Sequence, residues 1–110
     1  MRIRLVKKQT ILDFTDKHPR SKSSFDLWLS LLKGADWFEP ADIKSLYGTA
    51  DFLGKGTNRV IFNIGGNNYR LICSYYFGKK NVHLYINWIG THKEYTRICD
   101  KQQQYTIENY

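Results

Sequence analysis

The run Val60-Ile61-Phe62-Asn63-Ile64-Gly65-Gly66-Asn67-Asn68-Tyr69-Arg70-Leu71-Ile72 decides the fold. Two stretches of β-branched and aromatic residues flank Gly65 to Asn68, residue types that enter tight turns at little steric cost. That pattern reads as a β-hairpin. Working outward, Arg59 to Ile64, Tyr69 to Phe77 and Val82 to Ile89 read as three strands. The second turn, Gly78-Lys79-Lys80-Asn81, makes the set an antiparallel meander. Alternation places Tyr69, Leu71, Cys73, Tyr75 and Phe77 on one face of the middle strand, and Arg70, Ile72, Ser74 and Tyr76 on the other. Both rows carry apolar residues. The sheet is therefore expected to be covered by helices on one side and partly covered on the other.

Upstream, Arg2 to Val6 alternates basic and apolar residues and predicts a short strand. Thr10, three positions before Asp13, predicts the start of a helix with Ile11, Leu12 and Phe14 as its apolar contacts. Pro19 interrupts it. A second helix is expected from about Ser21 to Ser24, with Phe25, Trp28, Leu29 and Leu32 at helical spacing and Gly34 as its stop. Pro40 opens a third, through Tyr47, ended by Gly48. Downstream of the meander, Thr91 and Glu94 have capping-box spacing and predict a helix running towards Cys99. With 110 residues, the chain fits one α+β domain over 1–110, with roughly 101–110 as a loose tail.

Composition narrows the function classes. The chain carries 17 Lys and Arg against 10 Asp and Glu, a net charge of +7. Between Asp51 and Glu94 there is no acidic residue, yet Lys55, Arg59, Arg70, Lys79, Lys80 and Lys93 fall inside. Such a stretch attracts a polyanion, although it also serves as a plain solubilising surface. Cys73 and Cys99 stand far apart with no CxxC or Cys/His cluster, which argues against zinc and matches a reduced cytoplasmic setting. Arg2, Arg4, Lys7 and Lys8 interrupt the N-terminal apolar residues, so neither a secretory signal nor a membrane partner is expected.

The segment Val60 to Ile72 resembles the central signature of HigB-type toxins, and Tyr85-Ile86-Asn87-Trp88-Ile89-Gly90-Thr91-His92-Lys93-Glu94-Tyr95 resembles their C-terminal signature. The elements upstream fall in the order that family requires. The resemblance implies a RelE-like fold and an endoribonuclease that cuts mRNA, usually on the ribosome. It also implies inhibition by a helix-turn-helix antitoxin of the HigA type.

Metal-free RNA cleavage sends the ribose 2′-OH against the adjacent phosphate. It needs a base, positive charge for the phosphorane and an acid for the departing 5′ oxygen. The chain lacks paired carboxylates, a Cys/His dyad and metal-ligand clusters, and no cofactor is implied. His92 is the first candidate for acid/base work, because imidazole titrates near neutral pH and the first turn of a helix favours phosphate. Its plainer reading is an edge histidine bonded to the preceding strand. Arg70 could grip the phosphate through two parallel hydrogen bonds, or simply stack on an aromatic ring. Tyr95 could donate a proton or stack on a base, or fill the core. Lys93 could add charge at the transition state, or remain solvated.

Lys55, Arg59, Lys79 and Lys80 are assigned to RNA binding. His83 reads better as a cross-strand histidine and His18 as a surface one. The competing readings are a non-catalytic RNA-binding module and a degenerate toxin kept for antitoxin binding.

Overall fold

Gly65 and Gly66 take left-handed backbone with φ of 64° and 66°, a conformation in which a side chain is strained, and so close the hairpin that the sequence predicts. The computed structural model describes residues 1–109, and Tyr110, the end of the expected tail, lies outside the described residues. Nine main elements follow in order: β1 (Arg2–Val6), α1 (Lys8–Lys17), α2 (Lys22–Lys33), α3 (Pro40–Leu46), β2 (Asp51–Phe52), β3 (Arg59–Ile64), β4 (Tyr69–Phe77), β5 (Asn81–Thr91) and α4 (His92–Asp100). The architecture is α+β, with one five-stranded sheet in the order β1-β5-β4-β3-β2.

The meander β3-β4-β5 is antiparallel as expected, but the sheet is mixed because β1 lies parallel to β5. Two-residue β2 extends the far edge beside β3. Helix α1 begins at Lys8, ahead of the Thr10 start that the sequence predicts. Lys7 makes the strand-to-helix turn in left-handed backbone without a side-chain cap, and the Thr10 N–H donates to the Lys7 carbonyl at 3.0 Å, inside the first turn. A single 3-10 turn at Pro19–Ser21 separates α1 from α2.

Two cores follow from the two faces. On one side Ile11, Phe25, Trp28, Leu32 and Ile43 from the first three helices cover Phe62, Leu71, Cys73, Leu84 and Ile86. On the other, Ile98 of α4 covers Ile61, Ile72 and Trp88, with Tyr95 and Ile107 packed against them. The β4–β5 register slips between Ile72 and Cys73, whose partners are Trp88 and Ile86, so Asn87 is an extra residue. This bulge makes Asn87 and Trp88 share a face, and it moves Ile89 onto the first core in place of Trp88. Asn87 is buried, and its amide donates to the Ser74 hydroxyl at 2.6 Å.

The described part of the segment after α4 is hydrogen-bonded to the sheet. Arg59 donates to the carbonyls of Gln104 and Ile107, at 3.3 and 2.6 Å, and the Asn109 N–H donates to the Asn87 carbonyl at 2.9 Å. The tail thus crosses the α4 face of the sheet. Among the described residues no helix is long and apolar enough to cross a membrane.

Candidate functional site

Arg70 is the second residue of β4, directly after the hairpin turn, with Asn63 of β3 and Gly90 of β5 as its ladder neighbours. Its guanidinium donates to the Tyr69 carbonyl at 3.0 Å and to the Asn67 side-chain oxygen at 2.5 Å. Its central carbon, Cζ, lies over the Tyr95 ring, 5.8 Å from the centroid. Among the described residues no carboxylate lies within ion-pair distance of it. Arg70 is 6% exposed, so its charge, oriented by neutral groups and not neutralised by an ion pair, meets an anionic ligand through the hollow it lines.

The neighbours of Arg70 are set by Gly90. A Cβ there would run into the Trp88 indole, which lies back over the glycine. Trp88 and Tyr95 pack at a centroid distance of 6.2 Å, and Tyr95 in turn carries Arg70. Helix α4 delivers Tyr95 because its start is fixed: the Glu94 carboxylate accepts from the Thr91 N–H at 2.8 Å, and the Thr91 hydroxyl accepts from the Glu94 N–H at 3.2 Å. The capping box expected from sequence is present.

Arg70 and Tyr95 line a hollow of about 430 Å³ with Lys44, Thr49, Ala50, Asp51, Ile61 and Asn63. That volume falls within the range of small-ligand sites. Burial, above all, raises the pKa of the Tyr95 hydroxyl well beyond its usual value; a hydrogen bond with Cys99 and the charges of Cys99 and Asp51 add to this, and Arg70 opposes it. Tyr95 therefore stays protonated, a donor rather than a base. Lys44 donates to the Ala50 carbonyl at 2.7 Å. The hollow combines two cations, a phenol and an amide with a single carboxylate, Asp51. Such a set can hold a phosphate and donate to an oxygen that gains negative charge.

The expected site residues divide. Arg70 and Tyr95 come together. His92 and Lys93 occupy the first turn of α4, exposed and outside the lining of the hollow. The His92 N–H donates to the Asn68 carbonyl at 2.9 Å, which ties the helix start to the same turn that holds Arg70 through Asn67. Lys79 and Lys80 are exposed in the β4–β5 turn, at the other end of β4. Lys55 sits over the Tyr105 ring at 4.6 Å. Arg59 departs from the expected surface cation: it is 9% exposed and spends its guanidinium on tail carbonyls. Burial lowers its pKa from the usual arginine value, against the pull of Glu108 and Tyr76. His83 stacks near Tyr85 and His18 on Phe14.

Lys44, Asp51 and Asn63 are lining residues that sequence reading does not single out. Lys44 comes from a short helix and Asp51 from a two-residue strand, and neither carries a motif.

A mixed sheet with helices on one face, a capped C-terminal helix on the other and a basic hollow between sheet and helix is consistent with a RelE-like fold. The family profile described as HigB_toxin, the RelE-like toxic component of a toxin–antitoxin system, matches residues 21–98, and the chain belongs to that family. Its partner is accordingly an antitoxin. No curated protein is significantly similar to the chain.

Proposed function

We propose that this toxin is a cytoplasmic endoribonuclease that cuts mRNA during translation on the ribosome and is silenced by a HigA-type helix-turn-helix antitoxin. The observation that carries this reading is the shared hollow of Arg70 and Tyr95, with Arg70 oriented by Asn67 and free of any carboxylate partner among the described residues.

In this reading the 2′-OH attacks the adjacent phosphate and the bond to the 5′ oxygen breaks. Arg70, with Lys44 beside it, bears the charge that builds on the phosphorane. Tyr95 donates to the departing oxygen. His92 takes the 2′-OH proton as the strand passes from the hollow to the start of α4, where backbone N–H groups favour phosphate. Lys93 adds charge there, and Lys55, Lys79 and Lys80 hold flanking RNA.

A second assignment of the base has its own support. Asp51 lines the hollow and His92 does not, so Asp51 competes with His92 for the proton.

The test is brief expression without an antitoxin, with mapping of the 5′ ends of cut messages. Growth arrest with cuts inside translated regions is expected, and Arg70→Ala should abolish both while the protein stays folded. Intact messages beside a stable, soluble protein would reject cleavage and leave an RNA-binding module or a degenerate toxin.

A further inference from the structure

The α4 face of the sheet carries a second feature, at the end of β4 away from Arg70. There Tyr76 is 54% exposed, unusual for so large a ring on the middle strand of a sheet. It meets Tyr85 of β5 edge-on, with centroids 5.5 Å apart and planes at 84°. His83 lies nearly parallel to Tyr85, at 6.4 Å and 23°. The three rings make an aromatic shelf over the ladder pairs Tyr76–His83 and Ser74–Tyr85.

Cations border this shelf. The parallel register of β1 sets exposed Arg4 beside His83 and exposed Arg2 beside Asn81. Lys7 and the two tyrosines line a hollow of about 260 Å³ with Ser74, Asn87 and Glu108. Exposed Lys79 and Lys80 stand in the turn at its far end. Among the described residues, Glu108, contributed by the tail, is the sole carboxylate in that lining. Rings open to solvent and flanked by spaced positive charges complement a strand of unpaired bases joined by phosphates.

We infer that this shelf binds single-stranded RNA, with a base stacked on Tyr76 and Tyr85 and the neighbouring phosphates held by Arg2, Arg4 and Lys7. The inference rests on the reading of the protein as an RNA-cutting toxin, and it adds where the strand beside the cut is held. Tyr76 lies six residues along β4 from Arg70, about 20 Å at strand spacing, so the two sites contact separate nucleotides. Glu108 lines the hollow, and its negative charge opposes a phosphate there.

The experiment is fluorescence anisotropy of a labelled 2′-O-methyl oligouridylate titrated with the full chain. This probe lacks the nucleophile and stays uncut. Tyr76→Ala should weaken binding about 5- to 100-fold, the effect of losing one stacked base, whereas Tyr76→Phe should retain it. Arg4→Ala should weaken binding and lower the salt slope by about one. Glu108→Gln should tighten it. Tyr76 is largely exposed, so its loss leaves the cores intact and melting curves should coincide.

Wild-type affinity in both Tyr76→Ala and Arg4→Ala overturns the inference. So does a pair of variants that bind the probe normally but lose the antitoxin, which would make the shelf a protein-docking surface. The cleavage reading fails separately. Intact messages in cells together with weakened probe binding by Tyr76→Ala reject the nuclease and keep the shelf, while cut messages with unaffected binding do the reverse.

Discussion

The Trp88 indole lies over Gly90, in the space a side chain at that position would fill. Gly90 is also the ladder partner of Arg70, and Trp88 packs on Tyr95. The bulge at Asn87 is what turns Trp88 to this face, so one inserted residue sets the support behind Tyr95, which lines the Arg70 hollow. A backbone irregularity and a missing side chain together position the two groups to which the proposed chemistry is assigned.

Gly90→Ala should therefore act through Trp88. The added methyl forces the indole off its place, an overpacking cost of about 1–3 kcal/mol. Melting is expected to fall by several degrees, since each kcal/mol shifts a domain of this size by about 4–8 °C. Tryptophan fluorescence should change with it. An unaltered melting curve and emission spectrum would show that the indole has room to move.

Arg70→Lys should not rescue Arg70→Ala. Lysine offers a point charge and cannot both meet Asn67 and present a planar fork to a phosphate. Cleavage should drop by about 10²–10³ in either variant, as for loss of a charge-stabilising donor. Primer extension on a defined message checks it; near-normal cutting by the lysine variant contradicts the bidentate role.

The base is decided by a pair of variants. His92 is exposed at the start of α4, so His92→Ala should leave stability unchanged. If His92 takes the proton, its loss should lower the rate about 10²–10⁴-fold. If Asp51→Asn has that effect instead, the base belongs to the hollow.

Alkaline conditions should destabilise the fold in a defined order. Burial raises the pKa of the Cys73 thiol far above its ordinary 9.0. Burial chiefly, with Cys73 adding, raises that of the Tyr47 hydroxyl, which donates to the Trp28 carbonyl at 2.8 Å. In the unfolded chain both groups shed protons at ordinary values, so above about pH 9 the unfolded state holds fewer protons than the folded one. Stability is full below that pH and falls as pH rises. Urea melts from pH 7 to 11 should show the decline, and Cys73→Ala should lose its earliest part. A flat profile in the wild type would mean that these groups ionise without opening the core.

Arg59→Ala should release the tail. It removes both bonds to the Gln104 and Ile107 carbonyls, a loss of about 1.5–3 kcal/mol for hydrogen bonds from a charged donor. Trypsin should then cut at Lys101 much faster, as mass spectrometry of the fragments would reveal. Equal resistance in wild type and variant would place the anchor elsewhere, in Ile107 or Asn109.

The sequence exposes the meander because alternation and turn chemistry are local signals, as the Gly65-Gly66 turn and the Thr91–Glu94 box show. Features set by distant partners are not legible. The pairing of β1 with β5 leaves no trace in Arg2 to Val6, and two-residue β2 is too short for any period. The extra residue at Asn87 looks like ordinary strand, and only pairing exposes it. For the site, Arg70 and Tyr95 carry motif signals and do meet. Lys44 and Asp51 arrive from unrelated segments, and Arg59 cannot be told from a surface cation until the tail carbonyls are seen.

The parallel pairing of β1 with β5 joins Arg2 to Asn81, far apart in the sequence. Strand β1 must wait for β5, and long loops of this kind close slowly. A nascent or truncated toxin ending before β5 has neither its completed sheet nor α4 with Tyr95. The hollow of Arg70 and Tyr95 is thereby assembled only after β5 and α4 have been made, a delay written into the strand order itself.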